Sequence, residues 1–167
     1  MSNTVFKVLV VDDDPTQLER LKVYPEYIEY PHVEMTTAEN ATEAQDALEH
    51  SAFDLVLTDF RLPDMSGMEL LEYIKKKNPT IHVVIMTAYE NVREAVDILH
   101  KGGDDYLIKP TEKKEIEHLF VRTFEQCSVE HENKKVDETI DKQFESLPLI
   151  HKSNQMQEVL NVISRTA

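Results

Sequence analysis

VFKVLVVDDD (5–14) decides the fold. Seven residues rich in Val run without a clean polar alternation and stop at three consecutive aspartates. A run of that kind is expected of a parallel strand covered on both faces. FDLVLT (53–58), IHVVIMT (81–87) and YLI (106–108) share its character, and a weaker run, VEMTT (33–37), lies between the first two. Between the runs, apolar residues recur at helical spacing. Leu18, Leu21 and Ile28 begin one pattern, which Pro25 should kink or end. Ala41, Ala44, Ala47 and Leu48 make a second. Met68, Leu71 and Ile74 make a third, ended near Asn78-Pro79. Val92, Ala95, Val96 and Leu99 make a fourth, closed by Gly102-Gly103, and Ile116, Leu119, Phe120 and Phe124 a fifth. Strand then helix, five times over, predicts a doubly wound α/β domain, (βα)5, around a parallel five-stranded sheet spanning roughly residues 4–125. Functional loops then lie beyond the carboxyl ends of the strands.

The whole chain has 167 residues and a formal charge of -14, from 32 Asp plus Glu against 18 Lys plus Arg. From Gln126 onward seven acidic residues meet five basic ones, so nearly all of the acidity belongs to the first domain. A phosphate backbone wants a basic face, which argues against direct nucleic-acid binding by these residues. Cys127 is the single cysteine, so no internal disulfide and no cysteine-based zinc site can form. No apolar run approaches a membrane span, and no basic segment leads into a long apolar one at the start. A reducing, cytoplasmic location is the expectation.

The strand ends carry the chemistry. The first strand ends in Asp12-Asp13-Asp14 and the third in Asp59. Parallel strands bring those ends to one edge, where neighbouring carboxylates repel and call for a cation. All-oxygen ligation favours a hard ion, with Mg²⁺ the usual cellular choice. Asp14 reads instead as a helix cap, because Pro15 follows it. The fourth strand stops at Thr87 and the fifth is followed by Lys109-Pro110. A hydroxyl and an ammonium beside a metal and a lone carboxylate make an oxyanion site. The carboxylate can itself be the nucleophile and form an acyl phosphate.

VLVVDDD (8–14), LVLTDFRLPDMSGMEL (55–70), VVIMTAY (83–89) and GGDDYLIKP (102–110) together resemble the receiver domain of bacterial two-component response regulators. The resemblance implies a flavodoxin-like sheet of strand order 2-1-3-4-5. It implies that Asp59 is the phosphoacceptor, that Asp13 ligates Mg²⁺ directly, and that Asp12 assists, often through water. The backbone carbonyl of Arg61 would supply another metal ligand. Thr87 matches the switch hydroxyl, Lys109 the lysine that neutralises charge, and Tyr106 the aromatic whose rotamer follows the switch. Arg61 and Tyr89 match positions that tune phosphate lifetime, and their bulk predicts a phosphoryl-aspartate lasting longer than in the family's fastest members. The Lys109-Pro110 bond is expected to be cis. Gly67 is expected to serve a positive dihedral or a close approach. A sensor histidine kinase is the implied phosphodonor. A homodimer is implied through the face of the fourth helix, fifth strand and fifth helix, around residues 91–101 and 111–124. Two features depart from the pattern. Pro25 interrupts the first helix, and Thr111 stands where many relatives carry an aromatic.

Residues 126–146 read as a helical linker. Val129, Asn133, Val136, Ile140 and Phe144 give it weak heptad character, so pairing with its twin is one reading and a single exposed helix the other. LPLIHKSNQMQEVLNVISRTA (147–167) resembles the opening of the ATPase domain in regulators that activate sigma-54 RNA polymerase, although His151 replaces an expected glycine and Asn154 an expected proline. No Gly-rich phosphate loop occurs. The expectation is a fragment of a longer regulator, cut just inside that domain, with ATP and DNA binding lying elsewhere. Three rivals follow from the same residues. One is a Mg²⁺-dependent aspartyl phosphatase, which would want an acid two residues after Asp59, where Arg61 stands. Another is a binding or dimerisation module whose site is vestigial, and the third, a question of output, is a stand-alone receiver acting by protein contact.

Overall fold

β1 (Val5–Val11) pairs on one side with β2 (His32–Ala38) and on the other with β3 (Leu55–Asp59). β4 (His82–Thr87) and β5 (Asp105–Ile108) complete an all-parallel sheet of order β2-β1-β3-β4-β5. The computed structural model describes residues 5–28, 32–88 and 92–146, the side chains at 27, 92–94 and 130–146 excepted. The doubly wound fold and its strand order are those expected from the sequence.

The lack of polar alternation in β1 has a direct cause. Phe6, Val8 and Val10 point to one face, where they join Leu55, Leu57, Val84 and Met86 against α1 (Pro15–Lys22) and α5 (Lys113–Ser146). Leu9 and Val11 point the other way, with Val56, Val83 and Ile85, against α2 (Ala41–His50), α3 (Gly67–Lys77) and α4 (Val92–His100). Successive side chains on a strand alternate faces, so a sheet covered on both faces needs apolar residues at every position. Phe6 meets Phe120 and Phe124 edge-on, with ring centroids 6.3 and 5.7 Å apart.

Helix ends follow local chemistry. Asp14 caps α1, its Oδ1 accepting from the Thr16 amide at 2.8 Å. Ser66 and Glu69 form a reciprocal capping box on α3. Gly102, at φ 89°, ends α4: its amide bonds the Leu99 carbonyl while the Gly103 amide reaches Ile98. The first helical pattern is shorter than Ile28 suggested. α1 stops at Lys22 and a 3₁₀ turn, Tyr24–Tyr27, follows with Pro25 in its first turn. Pro25 lacks the amide that an α-helix would need there.

α5 runs unbroken from Lys113 to Ser146, through the expected junction at 125/126. The reason is visible in the sequence: no Gly or Pro interrupts those 34 residues. The compact unit extends to Val129. The heptad side chains after Val129 and the ATPase-like segment 147–167 lie outside the described residues. Among the described residues, no helix is long and apolar enough to cross a membrane.

A charged cluster lies at the amino ends of β4 and β5. Asp104 accepts from Lys75 Nζ at 2.7 Å, from the Val83 amide at 2.7 Å and from His82 Nδ1 at 3.0 Å. Burial works against the Asp104 carboxylate, yet these donors outweigh it and hold the carboxyl at about 2. The bond to Asp104 raises His82 to about 10, helped by the nearby Cys127 thiol. His82 Nε2 is buried and makes no aligned hydrogen bond to that thiol or to any other group described.

Candidate functional site

The parallel register gathers four strand ends at one edge. Val11 pairs Thr58, Asp59 pairs Met86, and Thr87 pairs Ile108. Asp12 therefore follows β1, Asp59 and Thr87 close β3 and β4, and Lys109 follows β5. The Lys109 amide donates to the Thr87 carbonyl at 2.7 Å, extending the β4–β5 pairing to the site. The Lys109-Pro110 bond is cis, as expected.

Lys109 lies between two carboxylates. Its Nζ donates to Asp12 Oδ2 at 2.5 Å and also pairs with Asp59. Asp12 is only 1% exposed, and its second oxygen accepts from the Asp14 amide at 3.0 Å. Burial pushes the Asp12 carboxyl up, against the pull of Lys109 and that amide. Burial also opposes charge on Lys109, but its bonds to Asp12 and Asp59 hold the ammonium above the ordinary lysine value. The lysine therefore stays charged at neutral pH. Asp59 is further oriented by the Arg61 amide, 2.7 Å from its Oδ2.

The other expected residues divide. Asp13 is exposed beside Asp12, and Thr87 is buried. Arg61 is exposed on the loop after β3, bridged to Ser66. Tyr106 is partly buried on the α4 side of the sheet, against the second core cluster. Tyr89 lies outside the described residues.

Gly67 serves a close approach and not a positive dihedral. A Cβ there would lie 2.2 Å from the Asp59 carbonyl oxygen, and the Gly67 amide bonds the Phe60 carbonyl at 2.9 Å. Gly67→Ala must displace the main chain that carries Asp59. An overpacking cost of about 3 kcal/mol is expected, read as a lower urea midpoint at unchanged slope.

Asp64 was not singled out by its sequence context. Its carboxylate accepts from the Ala41 and Thr42 amides at 3.0 and 2.9 Å and from the Thr42 hydroxyl at 2.6 Å. Chiefly through the Thr42 bond, the group is held at about 2. It ties the loop after Asp59 to the first turn of α2. No local signal marks a cap supplied from 22 residues away.

The donor set suits a hard cation. Asp12 and Asp59 meet at Lys109 with Asp13 exposed beside them, and these carboxylates, with the Arg61 carbonyl expected from the sequence, are the groups that could hold such an ion. Among the described residues no three His, Cys, Asp or Glu side chains are gathered into a ready-made metal cage.

Comparison with known proteins identifies the family. Residues 8–120 match the response regulator receiver domain family. The chain is 34% identical over 131 residues to the response regulator protein PilR of Pseudomonas aeruginosa, covering 78% of this chain and 29% of that protein. It is 42% identical over 110 residues to the transcriptional regulatory protein ZraR of Klebsiella oxytoca, covering 66% of this chain and 24% of that one. It thus spans less than a third of either relative. The crystal structure of a CheY-like response regulator receiver domain protein from Methanospirillum hungatei superposes with a TM-score of 0.68 at 31% identity, over 76% of this chain and 99% of that one. With the motifs, the strand order and the carboxyl-edge cluster in agreement, this chain belongs to the response regulator receiver domain family.

Proposed function

We propose that Asp59 accepts a phosphoryl group from the phosphohistidine of a sensor histidine kinase and that the modified domain switches its association. The observation that carries this reading is the Lys109 ammonium held between Asp12 and Asp59 at the carboxyl edge of the sheet. An Asp59 carboxylate oxygen attacks phosphorus, the O–P bond forms, and the P–N bond breaks with its electron pair leaving on the donor imidazole. Lys109 balances the charge that builds on the phosphoryl oxygens, and Thr87 donates its hydroxyl to one of them. Asp12, Asp13, Asp59 and the Arg61 carbonyl would hold Mg²⁺, which would supply further positive charge there. Tyr106 follows Thr87 by repacking on the α4 side. The protein promotes its own modification and slow hydrolysis and is not a turnover enzyme. Arg61 stands where an aspartyl phosphatase would place its acid and offers no carboxyl. Arg61 and Tyr89 slow the attacking water.

The switched surface is the α4–β5–α5 face. Val96 and Leu99 on α4 are 45% and 51% exposed, and Val121 projects from α5. Phosphorylation biases an existing equilibrium between arrangements of a homodimer, with the linker helix carrying the change onward. The output is sigma-54-dependent transcription in the cytoplasm, through ATPase and DNA-binding parts beyond these residues. That assignment rests on the tail resemblance.

The test is intact mass after incubation with acetyl phosphate and magnesium. Wild type gains one phosphoryl group and D59N gains none. A wild-type chain that gains nothing, or a D59N chain that gains as much, overturns the reading. Sedimentation with and without beryllofluoride then reads the direction of the dimer change.

A further inference from the structure

Tyr24, which precedes Pro25, and Thr111 meet at one side chain, that of Arg20. Because α1 ends at Lys22, Tyr24 turns into the core, where it is 7% exposed within the α1–α5 cluster. Its hydroxyl accepts from Arg20 Nε at 3.1 Å. The same guanidinium donates from Nη2 to the Thr111 carbonyl at 2.7 Å, across 91 positions of sequence. Thr111 is itself buried and lies two residues beyond Lys109.

We propose that Arg20 is a positioning residue for Lys109, clamping the main chain after Lys109 to the end of α1. This rests on the reading of Asp59 as phosphoacceptor. The Lys109 segment is then held from both sides. On one side its own amide bonds the Thr87 carbonyl, and on the other Arg20 holds Thr111. Between those anchors the lysine must reach Asp12 and Asp59 together. A planar guanidinium with two donors in fixed relation suits the task. Tyr24 orients the plane through Nε and leaves Nη2 aimed at the carbonyl, which a single ammonium cannot do as rigidly. Charged donors make stronger hydrogen bonds than neutral ones, and small displacements of a group that stabilises a transition state are costly in rate. The early end of α1 is thus functional: it places Tyr24 where it can orient Arg20.

The experiment compares wild type, R20M, R20K and Y24F by intact mass with acetyl phosphate at saturating magnesium, well below the melting temperature. R20M is expected to be phosphorylated about fivefold more slowly, with the half-saturating magnesium concentration unchanged. R20K regains part of the rate, and Y24F is slowed by about twofold. Hydrogen exchange at the Lys109 amide quickens in R20M, a readout independent of phosphorylation. In a K109A background, R20M makes no further difference, because the residue it positions is gone. A folded R20M that matches the wild-type rate, a slowing that R20K leaves unrelieved, or an equal slowing in the K109A background overturns the assignment. If R20M does not fold, a wild-type rate in Y24F overturns it instead. Failure of wild type itself to gain phosphate would refute the reading of Asp59, which the wild-type arm distinguishes from failure of the clamp.

Discussion

K109M is expected to slow phosphorylation of Asp59 by two to three orders of magnitude, on the order of what loss of one preorganised charge-stabilising donor costs. The methionine keeps the apolar stem, so packing changes little and the loss is of charge. In the wild type the ammonium meets both Asp12 and Asp59, so its removal leaves two carboxylates facing each other. Asp12 is the more affected because it is nearly fully buried and burial already pushes its carboxyl up. Stability should reveal the same event. In K109M the native state holds a proton on Asp12 at pH values where the unfolded chain has released it. The native state then binds more protons, so stability falls as pH rises above the ordinary aspartate range. The variant should therefore gain relative to wild type in mild acid, measured as urea midpoints between pH 4 and 7. A K109M protein phosphorylated at the wild-type rate would remove Lys109 from the mechanism.

D104N is expected to cost about 2–4 kcal/mol of stability without touching the carboxyl-edge site. Asp104 satisfies two cations at once, Lys75 and His82, both largely buried. Asparagine keeps an acceptor for the Val83 amide but leaves both cations without a counter-charge. The pH dependence should invert. In the wild type, His82 titrates at about 10 against 6.5 unfolded, so its contribution is complete below pH 6.5 and disappears as pH rises toward 10. Asp104 titrates at about 2 against 3.8, so its contribution is complete above 3.8 and disappears as pH falls through 2. In D104N the buried imidazole prefers to be neutral, the unfolded chain binds the extra proton, and stability rises with pH through the histidine range. Urea midpoints at pH 5.5 and 8.5 decide it. The wild type should lose stability between the two and the variant should gain. A loss in both would mean that His82 is not held charged by Asp104.

Much of the site was legible because it is built from strand ends. Asp12, Asp59, Thr87 and Lys109 each terminate an apolar run, and parallel strands bring such ends together whatever lies between them. Gly67 was legible as a constraint but not as a kind of constraint, since a close approach and a positive dihedral ask for the same residue. The unbroken α5 could have been read from its lack of Gly and Pro. Asp64, Arg20 and Asp104 were not legible. Each acts on partners dozens of residues away, and a lone charged residue in a loop or on a helix carries no mark of its distant acceptor.

Local physics therefore determined the order of elements, the buried faces and the carboxyl-edge cluster, because periodicity and turn chemistry are written into neighbouring residues. The tertiary structure alone decided which charges pair, which glycine has no room, and which main-chain carbonyl Arg20 finds. Those depend on distances that close only when the sheet has assembled.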